Sequence, residues 1–99
     1  MTIEKSQNGT SYTLALSGRL DTTTAPQLEA QLKACFADAS ELTLDFKELD
    51  YISSAGLRVL LTSQKIMNKQ GKMTLRHVGE AILEIFEMTG FINILDIKQ

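Results

Sequence analysis

The hydrophobic residues of this chain change period as the chain advances, and that alternation is the strongest constraint on its fold. Tyr12, Leu14 and Leu16 alternate with Thr13, Ala15 and Ser17, the period of two that gives a strand one buried face. Leu28, Leu32, Cys35 and Phe36 then recur at helical spacing, with Gln27, Glu29, Gln31 and Lys33 on the other face. That spacing predicts an amphipathic helix of about three turns. Pro26 suits its start, where a missing N–H would have no partner anyway.

The same alternation repeats. Glu41 to Asp45, continued by Phe46, reads as a strand, and Leu49, Tyr51 and Ile52 lead on from it to Ser53-Ser54-Ala55-Gly56. The next helix carries Leu57, Leu60, Leu61 and Met67 inward, with Val59 and Ile66 at its margins, and Gln70-Gly71 ends it; the glycine can take the left-handed conformation of many helix stops. Lys72 to Val78 reads as a strand and Glu80 to Met88 as a helix with Ile82, Ile85 and Phe86 inward, stopped by Thr89-Gly90. Ile92, Ile94, Leu95 and Ile97 form a short closing strand or tail. Ahead of all this, Thr2 to Ser17 reads as two strands joined at Asn8-Gly9, a strong hairpin signal. Gly18-Arg19-Leu20-Asp21 then breaks the strand pattern. The predicted order is β-β-α-β-α-β-α-β, an α/β fold with a mixed β-sheet and helices packed on it. With 99 residues and no linker or repeat, the chain is expected to be one domain spanning residues 1–99.

Composition excludes several functions. The net charge is −2 with acids and bases interleaved, so there is no electrostatic footprint for nucleic acid and no polybasic patch for a membrane surface. Cys35 is the sole cysteine; an internal disulfide and a cysteine-based zinc site are out of reach, and its place in the apolar stripe predicts a core residue. Met67, Met73 and Met88 fit core spacing and need no cofactor. The first residues lack a signal-peptide core, and no apolar run approaches the ~20 residues of a membrane helix. A cytoplasmic protein without membrane insertion is the expectation.

Chemistry concentrates where strand gives way to helix at Ser53-Ser54. Ser54 sits where a helix N-cap belongs, its hydroxyl able to accept from a first-turn N–H. Ala55 and Gly56 would leave that turn sterically bare for a partner. A phosphate on Ser54 would bring about −1.5 to −2 charge beside the positive end of the helix dipole, with Arg58 four residues on; Arg58 is otherwise an ordinary solvated charge. A catalytic serine fits poorly, because Ile52-Ser53-Ser54-Ala55-Gly56 is not the G-x-S-x-G elbow and His77 is the only imidazole. His77 reads as structural or exposed. The dispersed glycines form no phosphate cradle. From its spacing Asp21 reads first as a turn residue or as a cap for the helix near Pro26.

Three stretches resemble one known family. Tyr51-Ile52-Ser53-Ser54-Ala55-Gly56-Leu57, Gly18-Arg19-Leu20-Asp21 with its threonine run, and Phe86-Glu87-Met88-Thr89-Gly90-Phe91 are similar to the signature of STAS domains, specifically anti-sigma factor antagonists. Many members carry Asp where this chain has Ser53. The resemblance implies a STAS-like fold and a non-enzymatic partner switch. The unphosphorylated domain binds an anti-sigma factor that is itself a serine kinase, is released once phosphorylated, and is reset by a serine phosphatase. It places the phosphoacceptor on Ser54, with Ser53 the less favoured serine, and makes Asp21 as much a partner-contacting acid as a turn residue; together with the bare opening turn this gives an expected partner surface of Asp21, Ser53, Ser54, Ala55, Gly56 and Arg58. No cofactor or metal is implied. The competing expectations are a non-switching STAS subunit of a lipid-transport or stress-signalling complex, and a nucleotide-binding module.

Overall fold

The computed structural model describes residues 1–99 throughout. A five-stranded sheet carries the fold: β1 (Thr2–Asn8), β2 (Ser11–Leu20), β3 (Glu41–Ile52), β4 (Lys72–Arg76) and β5 (Ile97–Lys98). Three helices connect the later strands: α1 (Ala25–Phe36), α2 (Ser54–Gln70) and α3 (Glu80–Thr89). The strands lie side by side in chain order, β1 antiparallel to β2 and every later neighbour parallel, so the sheet is mixed. Each β-α-β crossover steps the same way across the sheet. Such crossovers are right-handed with few exceptions, so the helices cover one face.

That face holds the core. Leu14, Leu16, Leu42, Leu44, Met73 and Leu75 of the sheet pack with Leu28, Leu32, Leu60 and Phe86 of the helices. Phe86 tilts against Phe46 with ring centroids 6.4 Å apart. The alternate residues Thr13, Thr43 and Thr74, which share a register row, are half-buried on the opposite, open face. Cys35 is fully buried, and burial pushes its thiol pKa up.

Turn chemistry sets several boundaries. Asn8 pairs with Ser11, so the hairpin loop is Gly9-Thr10, and Gly9 takes φ 64°; glycine at the first central position is what such two-residue loops need. Gly71 is extended, at φ 170°, not left-handed as expected. Its glycine requirement is steric, because a Cβ would run into the Ser40 carbonyl, which also accepts from the Lys72 N–H at 3.0 Å.

The sheet departs from expectation at two places. Gly18 to Leu20 does not break β2, and β3 runs on past Phe46 to Ile52, because bulges absorb the irregular residues. Gly18 pairs with Leu49 but Arg19 with Tyr51, leaving Asp50 unpaired. Each bulge lets the inward face resume, so Leu49, Leu20 and Ile52 are buried.

Smaller corrections concern the second half of the chain. In α2, Val59 is buried and Leu61 half-buried, the reverse of the expected face. β4 stops at Arg76 because His77 takes φ 56°. Phe91–Asn93 form a 3-10 turn, and the closing strand is only Ile97–Lys98. Met88, expected in the core, is 86% exposed, since Ile82 and Phe86 already fill the inward side of α3.

Candidate functional site

The carboxyl ends of β2 and β3 gather the candidate residues. Leu20 pairs with Ile52, and the next residues, Asp21 and Ser53, open the loops into α1 and α2. The Ser53 N–H donates to the Leu20 carbonyl at 2.9 Å, which ties the two loops together. This hydrogen bond keeps Ser53 in the extended region, at φ −99° and ψ 176°.

That extension moves the helix start by one residue. Ser53 is the N-cap: its hydroxyl accepts from the Gly56 N–H at 3.4 Å, and its carbonyl from the Leu57 N–H at 2.9 Å. Ser54, expected to cap, is instead the first helical residue. Its side chain is exposed and makes no hydrogen bond within the protein. The N–H groups of Ser54 and Ala55 lie in the opening turn, where the helix supplies no carbonyl for them.

Gly56 is not bare toward solvent. It is buried, and a Cβ there would stand 2.7 Å from Leu20 Cγ and 2.9 Å from Ile52 Cγ1. Its missing side chain lets α2 press onto the strand ends, so the open part of the turn is Ser54 and Ala55. Ala55 and Arg58 face Pro26 and Glu29 of α1 across a shallow groove of about 170 Å³. Arg58 is exposed and makes no ion pair.

Asp21 anchors the other loop. Its Oδ1 accepts from the N–H groups of Thr23 and Thr24, at 3.0 and 3.1 Å, and from the Thr23 hydroxyl at 2.7 Å. The Thr24 hydroxyl accepts from the Asp21 N–H at 2.8 Å and donates to the Arg19 carbonyl at 2.7 Å. The Thr23 hydroxyl, followed by the Thr24 N–H, holds the Asp21 carboxyl below the usual carboxylate range. Asp21 is therefore a turn residue, with Oδ2 left outward, 3.9 Å from Arg19 Nε. The threonines that position it were legible only as a run; an Asp followed by hydroxyl residues is the pattern of such side-chain turns.

His77 lies apart from this edge. Its Nδ1 is 2.9 Å from Asp45 Oδ1 on β3, far from Ser54 in the register, and it gives the serine no base. Burial works to raise the Asp45 pKa, but the Lys47 N–H and the His77 ring outweigh it and the net shift is downward. No helix is long and apolar enough to cross a membrane.

Comparison with known proteins gives a consistent answer. A family model described as "Mlab, STAS domain" matches residues 3–96. BtrV of Bordetella bronchiseptica, named as a candidate anti-sigma factor antagonist, is 41% identical over 85 residues, covering 83% of this chain and 72% of that protein. The anti-sigma-B factor antagonist of Bacillus subtilis is 28% identical over 97 residues, covering 97% and 89%. Among solved structures, phosphorylated SpoIIAA from Bacillus superposes with a TM-score of 0.78 at 15% identity, over 99% of this chain and 92% of its own. An anti-sigma factor antagonist from Mycobacterium paratuberculosis gives a TM-score of 0.87 at 24% identity, over 97% and 83%. Both structural likenesses bear on the fold.

Proposed function

This chain belongs to the STAS domain family, and from that membership we propose that it is a non-enzymatic anti-sigma factor antagonist switched at Ser54. In this reading the unphosphorylated domain binds an anti-sigma factor serine kinase over the edge formed by Asp21, Ser53, Ser54, Ala55 and Arg58. The kinase phosphorylates Ser54 and lets go, and a serine phosphatase restores the binding form. Sigma-factor-dependent transcription is regulated in consequence.

The observation that carries this reading is the place of Ser54: exposed, unbonded, and first in α2. A phosphate there touches no core atom and meets the positive end of a helix dipole, worth about 0.3–1 kcal/mol to an anion. The domain therefore tolerates the modification. A docked partner does not, because burying an uncompensated charge costs several kcal/mol, and a loss of only ~3 kcal/mol weakens binding more than a hundredfold. Gly56 contributes indirectly, by letting α2 sit close enough to the strand ends to present Ser54 beside Asp21.

Incubation with the cognate anti-sigma factor kinase and ATP tests it. Mass spectrometry should place one phosphate on Ser54, Ser54→Ala should stay bound in ATP, and Ser54→Asp should bind far more weakly than wild type. Phosphate elsewhere, or equal binding by Ser54→Asp, overturns the switch. Stable co-purification with a transport or signalling assembly, indifferent to both substitutions, would replace it with a non-switching subunit.

A further inference from the structure

The side of this edge that turns toward the open sheet face carries a paired arginine and tyrosine, and we propose that Arg19, seated on Tyr51, takes a carboxylate of the docked partner. The proposal rests on the antagonist reading above, and it adds a recognition contact outside the serine turn.

The pair is built by the backbone. Arg19 and Tyr51 are register partners on β2 and β3, immediately after the bulge that leaves Asp50 unpaired. Bulges of this kind re-aim side chains next to functional sites. Had Asp50 kept its place in the register, strict alternation from Leu49 would turn Tyr51 inward, where Ile52 now sits. Instead Leu20 and Ile52 are buried while Arg19 and Tyr51 stand outward. Tyr51 is one of the few large apolar side chains exposed, at 37%.

The pairing fixes the direction of the guanidinium. Its carbon lies 4.1 Å from the centroid of the Tyr51 ring, within the range of a cation–π contact. The Nε side faces Asp21 Oδ2 at 3.9 Å, too long for a hydrogen bond. The guanidinium donates no hydrogen bond to the protein, and the Arg19 side chain is 61% exposed. A planar donor fork held on an aromatic face, with its two Nη groups free, matches a carboxylate in bidentate geometry. Tyr and Arg are also the side chains in which interface energy concentrates. Asp21 beside it completes a dipolar pair, so a partner is expected to present acid toward Arg19.

Calorimetry of the full chain with the cognate anti-sigma factor kinase tests this, with Ser54→Asp measured in parallel. Arg19→Gln should bind about tenfold to thirtyfold more weakly, with an unchanged melting temperature. Arg19→Lys should recover only part of the loss, Tyr51→Phe should bind like wild type, and Tyr51→Ala should resemble Arg19→Gln. A Lys placed at the contacting acid of the kinase should restore binding to Arg19→Glu. Wild-type affinity in Arg19→Gln overturns the contact while the antagonist reading stands, provided Ser54→Asp still loses binding. Full recovery by Arg19→Lys overturns the forked geometry. Wild-type affinity in Ser54→Asp instead removes the switch itself.

Discussion

Leu20 Cγ occupies the space a Cβ on Gly56 would need, standing 2.7 Å from that position, with Ile52 Cγ1 at 2.9 Å. The contact sets how closely α2 approaches the strand ends, and so where Ser54 is displayed. Gly56→Ala must push α2 outward or strain two buried side chains. Overpacking of this kind costs about 1–3 kcal/mol. The better helix propensity of alanine returns at most about 1 kcal/mol. The expected outcome is a lower melting temperature with weakened kinase binding, read by thermal unfolding and calorimetry together. A variant at least as stable as wild type would show that the space is not limiting.

Ser53 caps α2 through a long hydrogen bond, 3.4 Å to the Gly56 N–H. Ser53→Ala should therefore cost about 0.5–1 kcal/mol, toward the weak end for N-caps, which in a domain of this size lowers the melting temperature by roughly 2–8 °C. Ser53→Asp should recover that loss, since aspartate caps as well and adds negative charge at the helix start. Calorimetric melting of the three proteins decides it; an Asp variant less stable than the Ala variant contradicts the assignment of the cap.

Asp21 ties its carboxylate into the threonine turn, which lowers its pKa. A depressed folded-state pKa contributes stability above the unfolded value, about 3.9 for aspartate, and that contribution fades as pH falls through the folded value. Urea unfolding from pH 6 downward should show wild type losing stability below about pH 4. Asp21→Asn should start less stable and lose less over the same window. Parallel curves for the two proteins would remove Asp21 from the acid response.

Tyr12 donates to Asp38 Oδ1 at 2.5 Å. That bond, then burial, pushes its pKa up to about 12. Here the sign reverses: the contribution is complete below the unfolded value of about 10 and disappears as pH rises through the folded one. Tyr12→Phe should be less stable at neutral pH, and its deficit should shrink between pH 10 and 12. Denaturant titrations across that range measure it. A deficit independent of pH would mean the phenol ionises alike in both states.

Most of the fold was legible because period and turn residues speak locally. Leu42 and Leu44, or Leu28 and Leu32, declare strand and helix without help from the rest of the chain. The bulges were not legible. An irregular Asp50 between Leu49 and Tyr51 looks like the end of a strand until β2 is seen pairing on both sides of it. Asp21 and Ser53-Ser54 were found as sequence motifs. Which serine caps was decided by a tertiary hydrogen bond, Ser53 N–H to Leu20 carbonyl, that no local pattern encodes. Gly56 was misread for a related reason, since the neighbour that needs its missing Cβ lies on another element. Met88 matched the helical stripe, but Phe86 and Ile82 had already used the available core.

Because β1 to β5 lie in the sheet in the order they occur in the chain, each strand finds its pairing edge already laid down by the strand before it. The segment emerging from a ribosome never has to leave a gap for a later arrival, or thread between two strands already joined. The domain can therefore grow from its hairpin outward during synthesis, one crossover at a time.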